Sequence, residues 1–503
     1  MVKIGIIHIS SSSLRLVLAE IEEIGYFRIV DELKTPMKIC YNLNNTCKVC
    51  NEKLNYIIST LKTYESLCLA SGTDKIIAIA TNSFNQICDN DIIIKSLKEN
   101  FDLDLRILTH NEEIYYNYLG VIKSLNVENS LIVEITGTST NLTWVKNNKI
   151  EEWSVLPFGN INLTYNYGLQ DRILTDSMEE CNSFINTNLN TVEWLKNPFE
   201  SIILIGDVGR NIAKIDKKRR RYPFDNFNNY ELLNNEIHEL YNMVKSKDLK
   251  QRRKIEALEQ DMADTIYTSL AILNELSTIV DSRYIKISNH SLREGILYEY
   301  LDNNYDVIQD ILDYSLYGLL HSLNCNISHA EQVYKITLSL FEALRPIHHL
   351  DDSYLNILKT GSMLHDCGIS INYLQHHKHS FYIILNSYIN VLNHKELLMS
   401  AAVAASHRFN NYHIPIAQFS SIINKLDLKG ILEIGTLLKI AEGLDRSLIS
   451  AVKEIDVHFD DDKVEILLSS PLNLDVEIHQ ALRAKDFFKE VYDRDLIIKK
   501  VSA

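Results

Sequence analysis

Apolar and polar positions alternate across the first twenty residues. Val2 to Ile9 predicts a strand, Ser10 to Ser13 a polar turn, and Leu14, Leu16 and Leu18 one face of a returning strand. About 126 residues later the pattern recurs: Leu131 to Ile135 as a strand, Thr136-Gly137-Thr138-Ser139-Thr140 as the turn, and Asn141 to Val145 as the returning strand. Asn147-Asn148 then turns the chain into a third strand through Trp153 and Leu156. A hairpin repeated at this interval predicts a duplicated α/β domain. The turns also have a chemical use. Consecutive backbone N–H groups and hydroxyls in a tight turn form a concave anion site, and two facing turns can clamp a phosphate. The alternative for either turn alone is an ordinary hairpin connection.

Further along, the period changes. From Asn229 to Ile279 apolar residues recur at helical spacing (Leu232, Ile237, Leu240, Met243, then Met262, Ile266, Leu270, Leu273). Residues 298–312 are acidic and Asn-rich and predict an inter-domain joint. Ser315 to Ser450 is almost wholly helical in pattern and holds most of the histidines. Ile455 to Phe459 and Lys463 to Leu468 alternate as a hairpin around Asp460-Asp461-Asp462, followed by a helix near Glu477 to Val491 and a final strand. The chain thus divides into segments 1–125, 126–300, 305–450 and 451–503.

Composition adds exclusions. The chain has 503 residues, 46% of them hydrophobic, with only 7 Pro and 16 Gly, which excludes long disordered or low-complexity tracts. A formal net charge of −15 excludes a uniformly basic, nucleic-acid-coating surface. Residues 214–254 nevertheless hold 12 Lys/Arg against 6 Asp/Glu, a local net of +6 that leaves −21 on the remainder. Such a track suits a polyanion such as polyphosphate, a nucleotide polyphosphate or RNA; the alternative is a solvated helix face. The eight cysteines are scattered, and Cys47-Lys48-Val49-Cys50 has no second pair to complete a zinc site. No signal-peptide pattern opens the sequence and no apolar run approaches the ~18 residues of a membrane span, so a cytoplasmic location is expected.

Six blocks carry a resemblance: Ser13-Leu14-Arg15-Leu16, Ala80-Thr81-Asn82-Ser83, Leu108 to Glu113 running into Leu119-Gly120-Val121, Leu156-Pro157-Phe158-Gly159, Arg210-Asn211-Ile212-Ala213, and Ser291 to Leu297. In this order they resemble the exopolyphosphatase/guanosine pentaphosphate phosphatase (Ppx/GppA) family. The resemblance implies an α/β fold, a duplicated actin-like (RNase H-like) ATPase fold, with an all-α HD-type domain and a small α+β C-terminal unit behind it. It also implies hydrolysis of a terminal phosphoanhydride of polyphosphate or of a guanosine pentaphosphate alarmone. Glu113 takes the place of the general base, Glu134 that of a Mg2+-holding carboxylate, and Ser11, Ser12, Ser13, Arg15, Gly137, Thr138, Ser139 and Arg293 those of phosphate binders. A homodimer is implied as well.

The departures are specific. Where the family reads Asp-x-Gly-Ser-Asn-Ser, this chain reads His8-Ile9-Ser10-Ser11-Ser12-Ser13; where it reads Asp-x-Gly-Gly-Gly-Ser-Thr-Glu, this chain reads Glu134 to Asn141. A Gly-Gly-Thr turn has become Gly206-Asp207-Val208, and Asn85 replaces an arginine. Lost charges weaken magnesium or phosphate binding, and added Cβ atoms keep backbone away from an anion.

The helical segment keeps a different set. His329, His365-Asp366, His379, His407 and Asp445 resemble the His, His-Asp and Asp positions of HD-superfamily phosphohydrolases, which implies a divalent transition metal, or two bridged by Asp366. His348, His349, His376 and His377 are assigned to surface or packing. Three functions follow: a phosphohydrolase acting in the front half, a metal-dependent phosphohydrolase acting at the histidine-rich centre with the front half as sensor, or a non-catalytic polyphosphate- or alarmone-binding regulator.

Overall fold

The computed structural model describes residues 1–10, 12–37, 51–83, 94–95, 105–408 and 416–501. The chain forms two compact units, Met1–Val307 and Ile308–Ala503.

The first unit holds two mixed sheets. In one, β1 (Val2–Ile9) pairs antiparallel with β2 (Ser13–Ile21) and parallel with β4 (Lys75–Ala80); β3 (Phe27–Pro36) and β5 (Leu105–Ile107) close the order β3-β2-β1-β4-β5. The other consists of β6 (Asn129–Ile135), β7 (Thr140–Lys146), β8 (Lys149–Leu156), β9 (Ser201–Ile205), β10 (Tyr230–Leu233) and β11 (Tyr284–Ile287), in the order β10-β11-β9-β6-β7-β8. Read from β8, the second sheet repeats the first, three antiparallel strands followed by two parallel ones, with β10 added at the edge. Strands β1 and β6 run as near-continuous apolar stretches because both their faces are covered.

The duplication reaches the hydrogen bonds of the turns. The Ser10 N–H and hydroxyl both donate to the Ser13 carbonyl (2.9 and 3.0 Å), and the Ser13 N–H donates back to the Ser10 hydroxyl (3.0 Å). Thr136 and Ser139 make the same three bonds at 2.9, 3.0 and 2.9 Å.

Two elements differ from the sequence expectation. Asn229 does not open a helix, since Tyr230–Leu233 is an edge strand paired to β11; Asn234–Lys245 and Ile266–Ile279 are the helices. Here the β-sheet partner outweighed a helical spacing of only a few residues. The joint expected at 298–312 contains the division between the units, but its first part, 298–304, is the second half of the helix Leu292–Asn304. Burial of Leu297, Tyr298 and Leu301 holds it helical despite its polar composition, and the units divide after Val307.

That helix lies directly against His110–Ile122. A Cβ on Gly295 would fall on the Tyr116 carbonyl oxygen, and one on Gly120 would fall on the backbone of Ser291. Glycine at both positions permits the approach that brings Glu113 and Arg293 into one cleft.

The second unit is mainly helical, built around the buried helix Lys425–Leu444, with Ile327–Ala343, Leu355–Met363, His376–Asn386 and His394–Ala405 near it. A small sheet follows, β12 (Glu454–Phe459), β13 (Lys463–Ser469) and β14 (Asp495–Val501), with β14 parallel to β13. The single helix expected near 477–491 is broken into Asp475–Ala481, a 3-10 turn and Lys485–Tyr492. No helix among the described residues is long and apolar enough to cross a membrane.

Candidate functional site

Both turns open onto one cleft of the first unit, which Ser12, Ser13, Thr138 and Ser139 line together with Glu113, Glu134 and Arg293. The N–H groups of Ser13 and Ser139 are consumed by the hydroxyls of Ser10 and Thr136. At these positions the turns offer an anion their hydroxyls, and the Thr138 Oγ1 is buried without a partner.

Glu113 reaches the cleft from the first turn of His110–Ile122, a helix started by Thr109 and Glu112 in a reciprocal cap. The Asn82 N–H donates to its carboxyl. Burial, with the nearby Glu134 adding to it, pushes the Glu113 carboxyl up to about 8. Glu134 is half-buried in the wall of the cleft; Asn117, one helical turn after Glu113, and Asn141, its cross-strand partner on β7, donate to its Oε2 at 2.8 and 2.9 Å. Burial raises this carboxyl too. The Oδ1 atoms of Asn117 and Asn141 are buried with no donor.

The opposite wall is cationic but already paired. Gly206, at φ +78°, turns β9 into the helix Gly206–Arg219 and delivers Asp207 into the cleft. The Asp207 carboxylate meets Arg15 and Arg210, with Lys34 at 3.3 Å. Burial works against its ionisation, but Arg210, Arg15 and Lys34 outweigh that and hold it well below the usual carboxylate range. Glu32 takes Arg15 at 2.7 Å and Arg293 at 2.6 Å, and Lys34 also pairs with Glu259 (2.8 Å) and Asp261 (3.0 Å). His8 lines the same cleft with its Nε2 unpartnered; burial, then Arg293 and Arg15, pull its value down to about 3, so it stays neutral.

In the second unit four imidazoles turn their Nε2 atoms toward Asp366. His329, His365 and Asp366 form one group and Asp366, His376 and His407 another, the ligand atoms of each group lying within 4.8 Å of one another. The His365, His376 and His407 Nδ1 atoms face the carbonyls of Ser362 (2.7 Å), Tyr373 (2.8 Å) and Ala404 (2.5 Å). A carbonyl only accepts, so each Nδ1 carries a proton; in the neutral ring Nε2 is then the lone-pair atom free for a cation, whereas a ring protonated at both nitrogens donates from Nε2, as His376 can toward the Asp366 Oδ1 at 3.0 Å. His376 Nε2 and His407 Nε2 stand 2.9 Å apart, the Arg408 Nε donates to the former at 3.2 Å, and the buried His365 Nε2 has no partner. Burial depresses His365 and His407, while the surrounding imidazoles overcome burial at Asp366 and lower its carboxyl.

The model of the Ppx/GppA phosphatase family matches residues 17–304, and that of domain III of Ppx/GppA phosphatases matches 311–490. The chain belongs to the Ppx/GppA phosphatase family. It is 23% identical over 425 residues to a guanosine-5'-triphosphate,3'-diphosphate pyrophosphatase of Pseudoalteromonas atlantica, covering 80% of this chain and 81% of that one. The solved Aquifex aeolicus Ppx/GppA family member aligns at a TM-score of 0.53 with 24% identity, over 61% of this chain and 99% of that one. An exopolyphosphatase from Cytophaga hutchinsonii aligns at 0.55 with 17% identity, over 60% and 98% respectively. These structural likenesses establish the actin-like fold of the Ppx/GppA proteins.

Against this family background, Glu113, Glu134, Ser12, Ser13, Arg15, Thr138, Ser139 and Arg293 meet in the cleft, and Gly137 lines an adjoining pocket with Lys34 and Asp207. Ser11, Asn85, Cys47 and Cys50 lie outside the described residues. His379 is not in either converging group, and its Cβ lies beside Gly368; His376, three residues earlier and assigned to surface or packing, turns its ring to Asp366. The αL residue Gln375 starts the helix at His376, and the Tyr373 carbonyl fixes that ring. Asp445 takes the His329 Nδ1 at 2.8 Å and the Ser450 N–H at 2.8 Å, an orienting position behind the converging atoms. Glu32 and Lys34 were missed; their one signal is placement two apart on β3, which puts both on one face.

Proposed function

We propose that this Ppx/GppA phosphatase hydrolyses the terminal phosphoanhydride of inorganic polyphosphate or of a guanosine pentaphosphate in the cleft of the first unit. The observation that carries the reading is Glu113, a buried carboxyl facing two hydroxyl-lined turns, with a proton affinity near neutrality that suits a general base. Water attacks the terminal phosphorus, its proton passes to Glu113, and the bridging P–O bond breaks to release the shortened chain and phosphate. Arg15, Arg293 and the Ser12, Ser13, Thr138 and Ser139 hydroxyls hold the non-bridging oxygens. The Glu134 carboxylate, an oxygen donor in the wall of the cleft, suits Mg2+, which would add positive charge beside the reacting phosphoryl group. A cytoplasmic homodimer belongs to the same reading. Phosphate release from polyphosphate and from guanosine pentaphosphate, by wild type and Glu113→Gln, tests it: loss of both activities in the variant with folding retained supports the cleft.

The second reading, a metal-dependent phosphohydrolase of the HD type, is favoured by the four imidazoles around Asp366. Two Nε2 atoms at 2.9 Å, lone-pair atoms in the neutral rings, and an orphaned Nε2 fit a cation, and the mixed nitrogen and carboxylate set suits manganese, iron, cobalt or zinc. His329, His365, Asp366, His376 and His407 would hold it, and it would supply Lewis acidity toward a phosphoryl oxygen. Release that survives Glu113→Gln and dies with Asp366→Ala assigns the chemistry there; tight polyphosphate binding without release under any divalent metal assigns a regulator.

A further inference from the structure

We propose that a basic groove on the first unit, at the far end of the helix Gly206–Arg219, is a second anion site that holds the distal run of a linear polyphosphate chain. Three separate segments converge on it: Lys218 and Arg219 from that helix, Met243 from Asn234–Lys245, and Lys247, Lys254 and Glu256 from the stretch beyond. Its floor is apolar, from Ile215, Met243 and Ile255.

The state of the cations separates this groove from the cleft. Arg15, Arg210, Arg293 and Lys34 are all paired with carboxylates there. In the groove Arg219 is engaged by Glu239 at 2.6 Å and Asp216 at 3.0 Å, and Lys218 makes an exposed contact with Glu256 at 3.2 Å. Lys247 and Lys254 have no ion-pair partner among the described residues. A favourable helix dipole accounts for Lys217, Lys218 and Arg219 in a last turn, but not for two further lysines brought to the same groove from another segment. In a chain of net charge −15, unpaired lysines over an apolar floor concentrate a polyanion locally.

The helix also connects the two places. Arg210, Lys214 and Lys218 are four residues apart and share one face, and Asp207 to Arg219 spans on the order of 18 Å. A long chain gripped in the groove can thus present its end at the cleft, whereas a tripolyphosphate engages one place only. The ligand class rests on the phosphohydrolase reading; the groove does not.

The test uses the full chain with Lys247→Ala/Lys254→Ala, two surface changes, and binding of long-chain polyphosphate, tripolyphosphate and single-stranded RNA of matched charge. Expected is at least a tenfold loss of long-chain affinity, with tripolyphosphate unchanged and the salt slope lowered by about 1.4, as two lost phosphate contacts give on a single strand. Lys247→Arg/Lys254→Arg should retain wild-type affinity, as a charge contact requires, and the unchanged tripolyphosphate affinity of the Ala variant excludes a folding defect. Unchanged long-chain affinity, or an equal loss for tripolyphosphate, overturns the proposal. RNA binding as tight as polyphosphate and equally dependent on both lysines overturns the phosphate-chain assignment. If no phosphate is released under any condition yet long-chain binding falls in the variant, the hydrolase reading fails and the groove stands.

Discussion

Glu113→Gln should make the first unit more stable while removing its base, and by an amount that depends on pH. Burial lifts the Glu113 carboxyl from an ordinary 4.5 to about 8, so between those values the folded state keeps a proton that the unfolded chain releases. The sign follows directly: wild-type stability falls as pH rises through this window, by about 1.4 kcal/mol per pH unit, and the loss levels off above pH 8. Gln has the shape of the protonated acid and its Oε1 still accepts the Asn82 N–H, so the variant lacks the dependence. The variant should lead wild type by ~1 kcal/mol at pH 5, ~3 kcal/mol at pH 7 and ~4 kcal/mol at pH 8.

The assay is urea denaturation followed by tryptophan fluorescence. Trp144, Trp153 and Trp194 are the chain's 3 tryptophans and all lie in the first unit, so the signal reports that unit alone. Titrating groups remote from Glu113 contribute equally to both proteins and cancel in the difference, and the loss of repulsion on Glu134 adds in the same direction. Parallel stability curves from pH 5 to 8, or a Gln variant below wild type throughout, would refute the burial argument. The kinetic counterpart has the same origin: phosphate release should rise with pH through about 8, as the base loses its proton, and Glu113→Gln should lower it by roughly 100- to 10,000-fold.

Asp207→Asn frees Arg15, Arg210 and Lys34 from their internal anion, so pyrophosphate should raise the melting temperature of the variant more than that of wild type; equal shifts would show that Asp207 does not compete for the cations. His376→Ala should lose bound transition metal on elemental analysis while His379→Ala keeps it, because His376 belongs to a group converging on Asp366 and His379 to neither; the reverse result would favour the ligand set inferred from sequence. Asp445→Asn should weaken metal affinity by about 10- to 100-fold without abolishing it, as an orienting partner of His329 does, and total loss would make Asp445 a direct ligand.

The paired hairpins were legible because alternation of period two, a short polar turn and a repeat at a fixed interval are all local signals. Glu113 was legible only through a family block, since the tertiary enclosure that raises its carboxyl depends on Gly295 and Gly120 letting two distant helices meet. The exchange of His379 for His376 shows another limit. Neighbouring histidines at a helix start point in different directions, and which one faces inward depended on an αL residue at Gln375 that composition does not announce. Glu32 and Lys34 were invisible for a similar reason: an exposed edge strand commonly carries charges, and only the fold places these two across from Asp207 and Arg293.

The charge of the cleft explains why a distant anchor would matter to this chain. Arg15, Arg210, Arg293 and Lys34 face Glu32, Asp207, Glu259 and Asp261, so before Glu113 and Glu134 are considered the cations are balanced by internal carboxylates. Asp207 stands at the N-terminal end of Gly206–Arg219, where the helix dipole favours an anion, and it is tethered there. An incoming phosphoryl group must therefore displace a carboxylate that is always present, which removes much of the affinity a bare cationic cleft would give it. Affinity has to come from a part of the substrate that meets unpaired cations, and Lys247 and Lys254 supply these at the other end of the same helix. Binding energy gained away from the reacting bond can then be used to drive the terminal group against Asp207. On this reasoning chain length, rather than terminal-group chemistry, decides which polyanion the cleft admits, and Asp207→Asn should narrow the preference for long chains over short ones by helping the short ones most.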